Sequence, residues 1–385
     1  MRILVSLTYF RPHVSGLTIY VERLARAWAQ AGHQVTILTS RYRADLPRQE
    51  IRDGVRILRL PVALRISKGV LMPTIGLEAT RLVLQHDVLS LHLPQFDAAG
   101  IAARGRLFGR PTILTHHCDL HLPVGFFNLP AHAAIQWANQ IAAVLADAVV
   151  SYTRDYAVHS PFLSRYTSKL HVIPPPVDPP ETPRPQDEAF FRTLRRGKNP
   201  VIGMAARLAT EKGVEYLLEA LPKILEGRPD AVVLFAGQYE NVLGEDAYAR
   251  RLRPALDRMA GHWSFLGVLD PHQMSAFYRT CDVTVLPSLN STESFGLVQI
   301  ESIMSGTPVV AADLPGVRQP VLTTGRGRLV PIRDSAALAE GILDVLDNNP
   351  GADYDVVRLQ SRHAPAAVAQ AYLSLFEELR RPLRR

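Results

Sequence analysis

The chain is poor in cysteine, with only Cys118 and Cys281 in 385 residues, far apart in sequence. Such usage argues against a disulfide framework and makes a reducing cytoplasm the expected compartment. No apolar run approaches the ~20 residues of a membrane-spanning helix. "MRILVSLTYF" lacks a small-residue cleavage site, so no signal peptide is expected. G-x-x-x-x-G-K-[ST] is missing, which argues against a P-loop ATPase, and G-x-G-x-x-G is missing, which argues against a nicotinamide or flavin fingerprint. H-E-x-x-H and paired Cys clusters are missing too, and the only Asp-x-Asp, Asp353 and Asp355, comes too late in the chain. No metal and no cofactor are therefore expected. The basic residues behind the net charge of +7 are dispersed and no binding motif accompanies them, so no nucleic-acid partner is expected.

Apolar residues are plentiful, at 47% of the chain. The length suggests two domains. "RILVSL", "QVTILTS", "VRILRLP", "VLSLHL", "PTILTHH", "AVVSYT" and "KLHVIPP" are short and rich in Val, Ile and Leu, as strands buried on both faces of a parallel sheet are. Between the first two, Ile19, Leu24, Ala27 and Trp28 recur at helical spacing and Gly32 supplies the stop. The proline-dense "PPPVDPPETPRPQDE" fits neither a central strand nor a helix interior and reads as a linker. The second half repeats the alternation. The expected architecture is α/β: a doubly wound domain over 1–180, a linker region over 174–197, a second doubly wound domain over 198–360, and a final helix in 361–385 that packs back on the first domain. Ligands of such sheets sit at the carboxyl ends of strands, so two domains facing each other would enclose a cleft.

Four loops at such positions carry chemistry. In "ESFGLVQIE", Glu293 and Glu301 flank a helix start expected near Ser294 or Phe295. The first amides of a helix and its dipole attract an anion, and Gly296 would let a ligand approach the backbone. Two acids eight positions apart suit a ligand with polar ends, although Glu293 could equally complement the dipole and Glu301 be an ordinary surface residue. In "AARLATEKG", Arg207 and Lys212 stand in a strand-to-helix loop as a diphosphate clamp would, or as solvated loop residues would. In "FRPHVSGLTIYVERLA", Ser15-Gly16 opens a helix after the first strand. In "ILTHHCDLHLP", His116, His117, Asp119 and His121 follow a strand. A polar contact to a sugar hydroxyl, or a charge-relieving partner in the cleft, suits them better than a metal.

Together and in this order, these elements resemble a retaining glycosyltransferase of family four with the GT-B fold, over nearly the whole chain. The most specific part is "ESFGLVQIESIMSGTPVVAADLPGVRQPV", similar to the family's E-x7-E element and the strand behind it. "VIPPPVD" departs from the family's Ile-Pro-Asn-Gly-Val-Asp at Pro175 and Pro176, and Ser15-Gly16 replaces a Gly-Gly pair. The resemblance implies transfer of a sugar from a nucleotide-diphosphate donor, UDP- or GDP-linked, to an acceptor hydroxyl with retention and without metal. Glu293 would contact the donor sugar, and Glu301 the ribose. Phe295, Gly296, Leu297 and Val298 would offer amides to the diphosphate, and Gly16 would line the donor site from the first domain. Arg207 and Lys212 would neutralise the leaving group. His117 would lie by the transferred sugar, with His116 as the competing assignment. The acceptor would be a glycan, a glycolipid or a small molecule. Competing readings are a silent nucleotide-sugar-binding protein, which should have lost Glu293, Arg207 or Lys212, and an epimerase of the same fold. A phosphorylase would need a pyridoxal phosphate lysine site, and none is evident. The apolar, basic "PVALRISKGVLMPTIGLEATRLVL", with Arg65, Lys68 and Arg81, and the aromatic Phe126, Phe127 and Trp137 are either core helices or a peripheral contact with the inner face of a membrane.

Overall fold

A computed structural model describes residues 1–66, 69–119, 128–351 and 353–380. The chain divides into two compact units, Met1–Val177 with Arg362–Arg385, and Asp178–Ser361.

Among the described residues, unit 1 holds ten strands: β1 (Arg2–Ser6), β2 (Gln34–Arg41), β3 (Gln49–Arg52), β4 (Val55–Pro61), β5 (Leu64–Ile66), β6 (Gly69–Leu71), β7 (Val88–Leu93), β8 (Thr112–His116), β9 (Ala148–Ser151) and β10 (Leu170–Val172). Eight form one sheet in the order β10-β9-β8-β7-β1-β2-β4-β3, parallel except for the antiparallel edge pair β3–β4. The helices are α1 (Gly16–Gln30), α2 (Ile75–Gln85), α3 (Ala98–Leu107), α4 (Asn128–Leu145) and α5 (Arg154–His159). Every residue of β7 is buried, as a central parallel strand covered on both faces requires. The Ser15 side chain caps α1 by accepting from the Thr18 amide at 3.2 Å. The stretch read as either core helices or a membrane contact splits: β5 and β6 make a separate two-stranded hairpin and only 75–85 is helical. Period-2 patterning is too short there to be separated from loop.

Unit 2 holds α6 (Pro185–Arg195), β11 (Val201–Ala205), α7 (Val214–Gly227), β12 (Val232–Ala236), α8 (Asp246–Arg258), β13 (Trp263–Gly267), α9 (Pro271–Thr280), β14 (Val283–Leu286), α10 (Leu297–Met304), β15 (Val309–Ala312), α11 (Gln319–Thr324), β16 (Gly327–Val330), α12 (Ser335–Asn348) and most of α13 (Val356–His363). Its sheet is wholly parallel, in the order β13-β12-β11-β14-β15-β16. The region expected as a linker over 174–197 thus contains a helix. Pro185 occupies the first turn of α6, where its missing N–H costs nothing, and Asp187 and Glu188 complement the dipole. Phe191 then packs with Phe277 of α9 in the core of unit 2.

The last helix, α14 (Pro365–Arg380), lies in unit 1 against α1. The contact is specific: Trp28 Nε1 donates to Ala369 O at 3.2 Å, and the Tyr20 and Tyr372 hydroxyls meet at 2.7 Å. In both units the chain reverses its winding direction beside the first strand, between β1 and β7 and between β11 and β14. Crevices at the carboxyl ends of such strands are where open α/β sheets bind ligands.

Candidate active site

In unit 2 the loops after β11 and β14 meet at the switch point. Leu289 N donates to Glu211 O at 3.0 Å, tying one loop to the other. Gly213, at φ +66°, lies so close to the second loop that a Cβ there would stand 2.2 Å from Pro287 O. Thr292 N donates to Asn290 Oδ1 at 3.0 Å and Glu293 N to Asn290 O at 3.1 Å, a turn that Asn favours. Through this scaffold Lys212 Nζ reaches Glu293 Oε2 at 2.5 Å, with side chains 19% and 16% exposed. Arg207 Nη2 donates to Glu211 Oε1 at 3.1 Å. Each cation is thus held by a carboxylate, Arg207 by Glu211 and Lys212 by Glu293.

The helix expected to begin near Ser294 or Phe295 begins at Leu297 instead. Gly296 takes the left-handed conformation at φ +80° as its N-cap, and Gln299 N donates to Gly296 O at 3.0 Å. Tight packing beneath the turn accounts for the glycine: an added Cβ would lie 2.3 Å from Leu286 Cδ2 and 2.7 Å from Gln299 Nε2. The amides of Gly296, Leu297 and Val298 therefore head the helix, while Phe295, 5% exposed, is buried before it. Glu301 sits in the second turn and accepts from the hydroxyl of Tyr278, on α9, at 3.0 Å. Arg207, Lys212, Glu293, Gly296, Leu297, Val298 and Glu301 thus border one region at the carboxyl end of one sheet. Glu211 and Tyr278 join them and were not singled out in the sequence. Neither carries a sequence signal: Arg207 and Glu211 stand four apart, but outside an α-helix, where that spacing does not predict a pair.

Unit 1 carries the other candidates. Gly16 is exposed at the start of α1 and an added Cβ would meet nothing within 4 Å. His117 follows β8 and extends its pairing with β7 by donating its amide to Leu93 O at 3.1 Å. Its Nε2 lies 2.9 Å from His92 Nδ1, and its Nδ1 is bonded to the Tyr152 hydroxyl. Tyr20 presents its ring edge-on to His117 at 4.9 Å. Burial, with help from His92 and His116, holds the His117 pKa well below the ordinary histidine value. His116 turns elsewhere. Its ring stacks on Phe162 at 4.4 Å and its Nε2 lies 3.2 Å from Asp119 Oδ1. Asp119 also accepts from Ser160 Oγ at 2.8 Å and from Tyr156 OH at 3.1 Å. Burial alone would raise its pKa, but these three donors outweigh that effect and lower it. The carboxylate pins the loop to α5. No group of His, Cys, Asp and Glu that could hold a metal occurs among the described residues. His121, Phe126, Phe127 and Lys68 lie outside them.

Residues 14–181 match the model for Glycosyltransferase Family 4, and residues 185–361 the model for Glycosyl transferases group 1. Over 356 residues the chain is 31% identical to D-inositol 3-phosphate glycosyltransferase of Xylanimonas cellulosilytica, covering 84% of this chain and 82% of that protein. The chain belongs to glycosyltransferase family four. This glycosyltransferase is also 37% identical over 160 residues to phosphatidyl-myo-inositol mannosyltransferase of Mycobacterium tuberculosis, covering 40% of this chain and 39% of the relative. Among solved structures, Anabaena HepE in complex with UDP and glucose superposes with a TM-score of 0.79 at 18% identity, over 98% of this chain and 100% of that one. Sucrose-phosphate synthase from Thermosynechococcus elongatus superposes at 0.75 and 21%, over 98% of each chain. The fold is GT-B, built from two Rossmann-like domains.

Proposed function

We propose that this glycosyltransferase moves a hexose from a nucleoside-diphosphate sugar to an acceptor hydroxyl, with retention of configuration and without a divalent cation. The observation that carries this reading is the Lys212–Glu293 pair at the head of α10, with Arg207 beside it. Two cations and a helix N-terminus make a receptor for a diphosphate. Binding exchanges Glu211 for phosphate at Arg207 and frees the Glu293 carboxylate for the sugar hydroxyls. Glu301, oriented by Tyr278, takes the ribose.

In the reaction the bond from the anomeric carbon to the phosphate oxygen breaks, and negative charge builds on the departing diphosphate. Arg207, Lys212 and the helix-start amides stabilise that charge where it develops. The acceptor oxygen bonds to the anomeric carbon on the face the phosphate leaves, and its proton passes to the departing phosphate oxygen. The family resemblance gives His117 a place by the transferred sugar. Relatives named for D-inositol 3-phosphate and phosphatidyl-myo-inositol favour a polyol or polyol-lipid acceptor. Trp137, Ile141 and Val144, exposed at helical spacing along α4, support contact with a membrane surface. Localisation at the inner face of a membrane fits that contact.

The test uses a nucleoside-diphosphate sugar of α configuration in EDTA, with water as the acceptor. Proton NMR before mutarotation should record α-hexose first. Release of the β-anomer would overturn retention, and turnover that EDTA abolishes would overturn metal independence.

A further inference from the structure

Four polar side chains run in series beneath the carboxyl end of the unit 1 sheet. Ser90 Oγ lies 3.1 Å from His92 Nε2, His92 Nδ1 lies 2.9 Å from His117 Nε2, and His117 Nδ1 bonds to the Tyr152 hydroxyl. Ser90 and His92 are fully buried, while His117 and Tyr152 are 5% and 7% exposed. The Tyr152 end is thus the less deeply buried one. Burial holds the His92 pKa down to about 3, and burial first, then the neighbouring histidines, depress that of His117. Both rings are neutral at pH 7. A neutral imidazole has one N–H and one lone pair. At the contact between the rings, one nitrogen must donate and the other accept. If His92 Nδ1 carries the proton, its Nε2 accepts from Ser90, His117 Nε2 accepts, and His117 Nδ1–H donates to Tyr152. If His117 Nε2 carries the proton, Tyr152 donates to His117 Nδ1, and His92 Nε2–H donates to Ser90. Either way the two rings carry the same tautomer. A mixed pair would set two N–H groups or two lone pairs against each other in a buried contact, where such a clash is costly.

We infer that His92 is a positioning residue for His117: it fixes the plane and the tautomer of that ring, and so decides whether His117 Nδ1 is a donor or an acceptor toward Tyr152. Tyr20, edge-on to His117 and held through its hydroxyl by Tyr372, keeps the ring from turning away. The consequence for turnover rests on the proposed place of His117 beside the sugar; the tautomer assignment does not.

The experiment is side-chain nitrogen NMR of the full chain labelled with ¹⁵N-histidine at pH 7, on the wild type, His92→Leu and His92→Asn. Asparagine can replace the Nδ1 contact as donor or acceptor. The wild type is expected to show His92 and His117 neutral and in one shared tautomer. His92→Leu should change the His117 tautomer pattern and His92→Asn should restore one. Turnover of a nucleoside-diphosphate sugar should fall about 10- to 100-fold in His92→Leu, as for a slightly misplaced group, with affinity for the free nucleoside diphosphate within twofold of wild type. His92→Asn should recover most of the rate. Opposite tautomers, a protonated ring at pH 7, or a His117 pattern indifferent to His92→Leu would overturn the inference. A changed tautomer with unchanged turnover would uphold the positioning of His117 and overturn instead its place at the sugar.

Discussion

Gly296→Ala probes the geometry of the donor site more sharply than any charge change. The residue sits at φ +80°, where an L side chain costs about 1–2 kcal/mol. The new methyl would stand 2.3 Å from Leu286 Cδ2 and 2.7 Å from Gln299 Nε2. Both neighbours are 1% exposed, so neither can swing into solvent. Overpacking of that kind costs a further ~1–3 kcal/mol. The sum is about 2–5 kcal/mol, drawn from a unit that spans Asp178–Ser361. At ~2–4 °C per kcal/mol for a domain of this size, the melting temperature should fall by about 4–20 °C. The start of α10 must shift, so nucleoside diphosphate binding should weaken as well. Gly16→Ala is the matched control, with no clash within 4 Å and no left-handed φ. It should leave the melting temperature unchanged or raise it slightly, since alanine is the better helix former. Scanning calorimetry and titration with UDP and GDP read both effects. A Gly296→Ala protein that melts and binds as the wild type does would refute the reasoning.

Three further outcomes are expected. Tyr278→Phe removes the donor to Glu301 and should weaken UDP or GDP binding about 2- to 10-fold, while a 2′,3′-dideoxy analogue binds both proteins alike; equal losses for both ligands would remove Glu301 from the ribose. The folded-state pKa values of His92 and His117 lie below the ordinary ~6.5. As pH falls below ~6.5 the unfolded chain takes up protons that the folded chain refuses, so unit 1 should lose about 1.4 kcal/mol of stability per pH unit for each ring until the folded values are reached. Denaturant midpoints from pH 7 to pH 5 measure this, His92→Asn should flatten the slope, and a flat wild-type profile would contradict the burial of these rings. Trp137→Ser should lower partition of the protein into anionic phospholipid vesicles in a sedimentation assay; unchanged partition would take α4 out of the contact.

Much of the fold was legible because parallel strands covered on both faces, such as β12 and β15, are runs of apolar residues, and because helices such as α1 announce their stripe and their stop. The β5–β6 hairpin was not, since three-residue strands carry too little period. Nor was α6, whose proline lies in the first turn, where its missing N–H costs nothing, inside a segment that composition marks as linker. Glu293, Gly296, Arg207 and Lys212 stand out in the sequence by residue type and by position after strands, and the structure brings them to the carboxyl end of one sheet. The start of α10 lies two or three residues later than the sequence suggests because its boundary depends on the left-handed turn at Gly296, packed tightly against Leu286 at the end of β14. Glu211, Tyr278, His92 and Tyr152 act through partners 4 to 35 positions away in sequence, and only the folded chain reveals those pairings.

The most direct test of the diphosphate clamp is calorimetric titration, in EDTA, of UDP-, GDP-, ADP- and TDP-sugars into the wild type and Lys212→Ala. Saturable binding of one nucleotide class, weakened about 10- to 100-fold in the variant, is expected from the loss of a charged contact to phosphate. Binding of none of them, or equal binding by both proteins, would contradict the clamp and move the weight to a protein that holds its sugar nucleotide by other means or not at all.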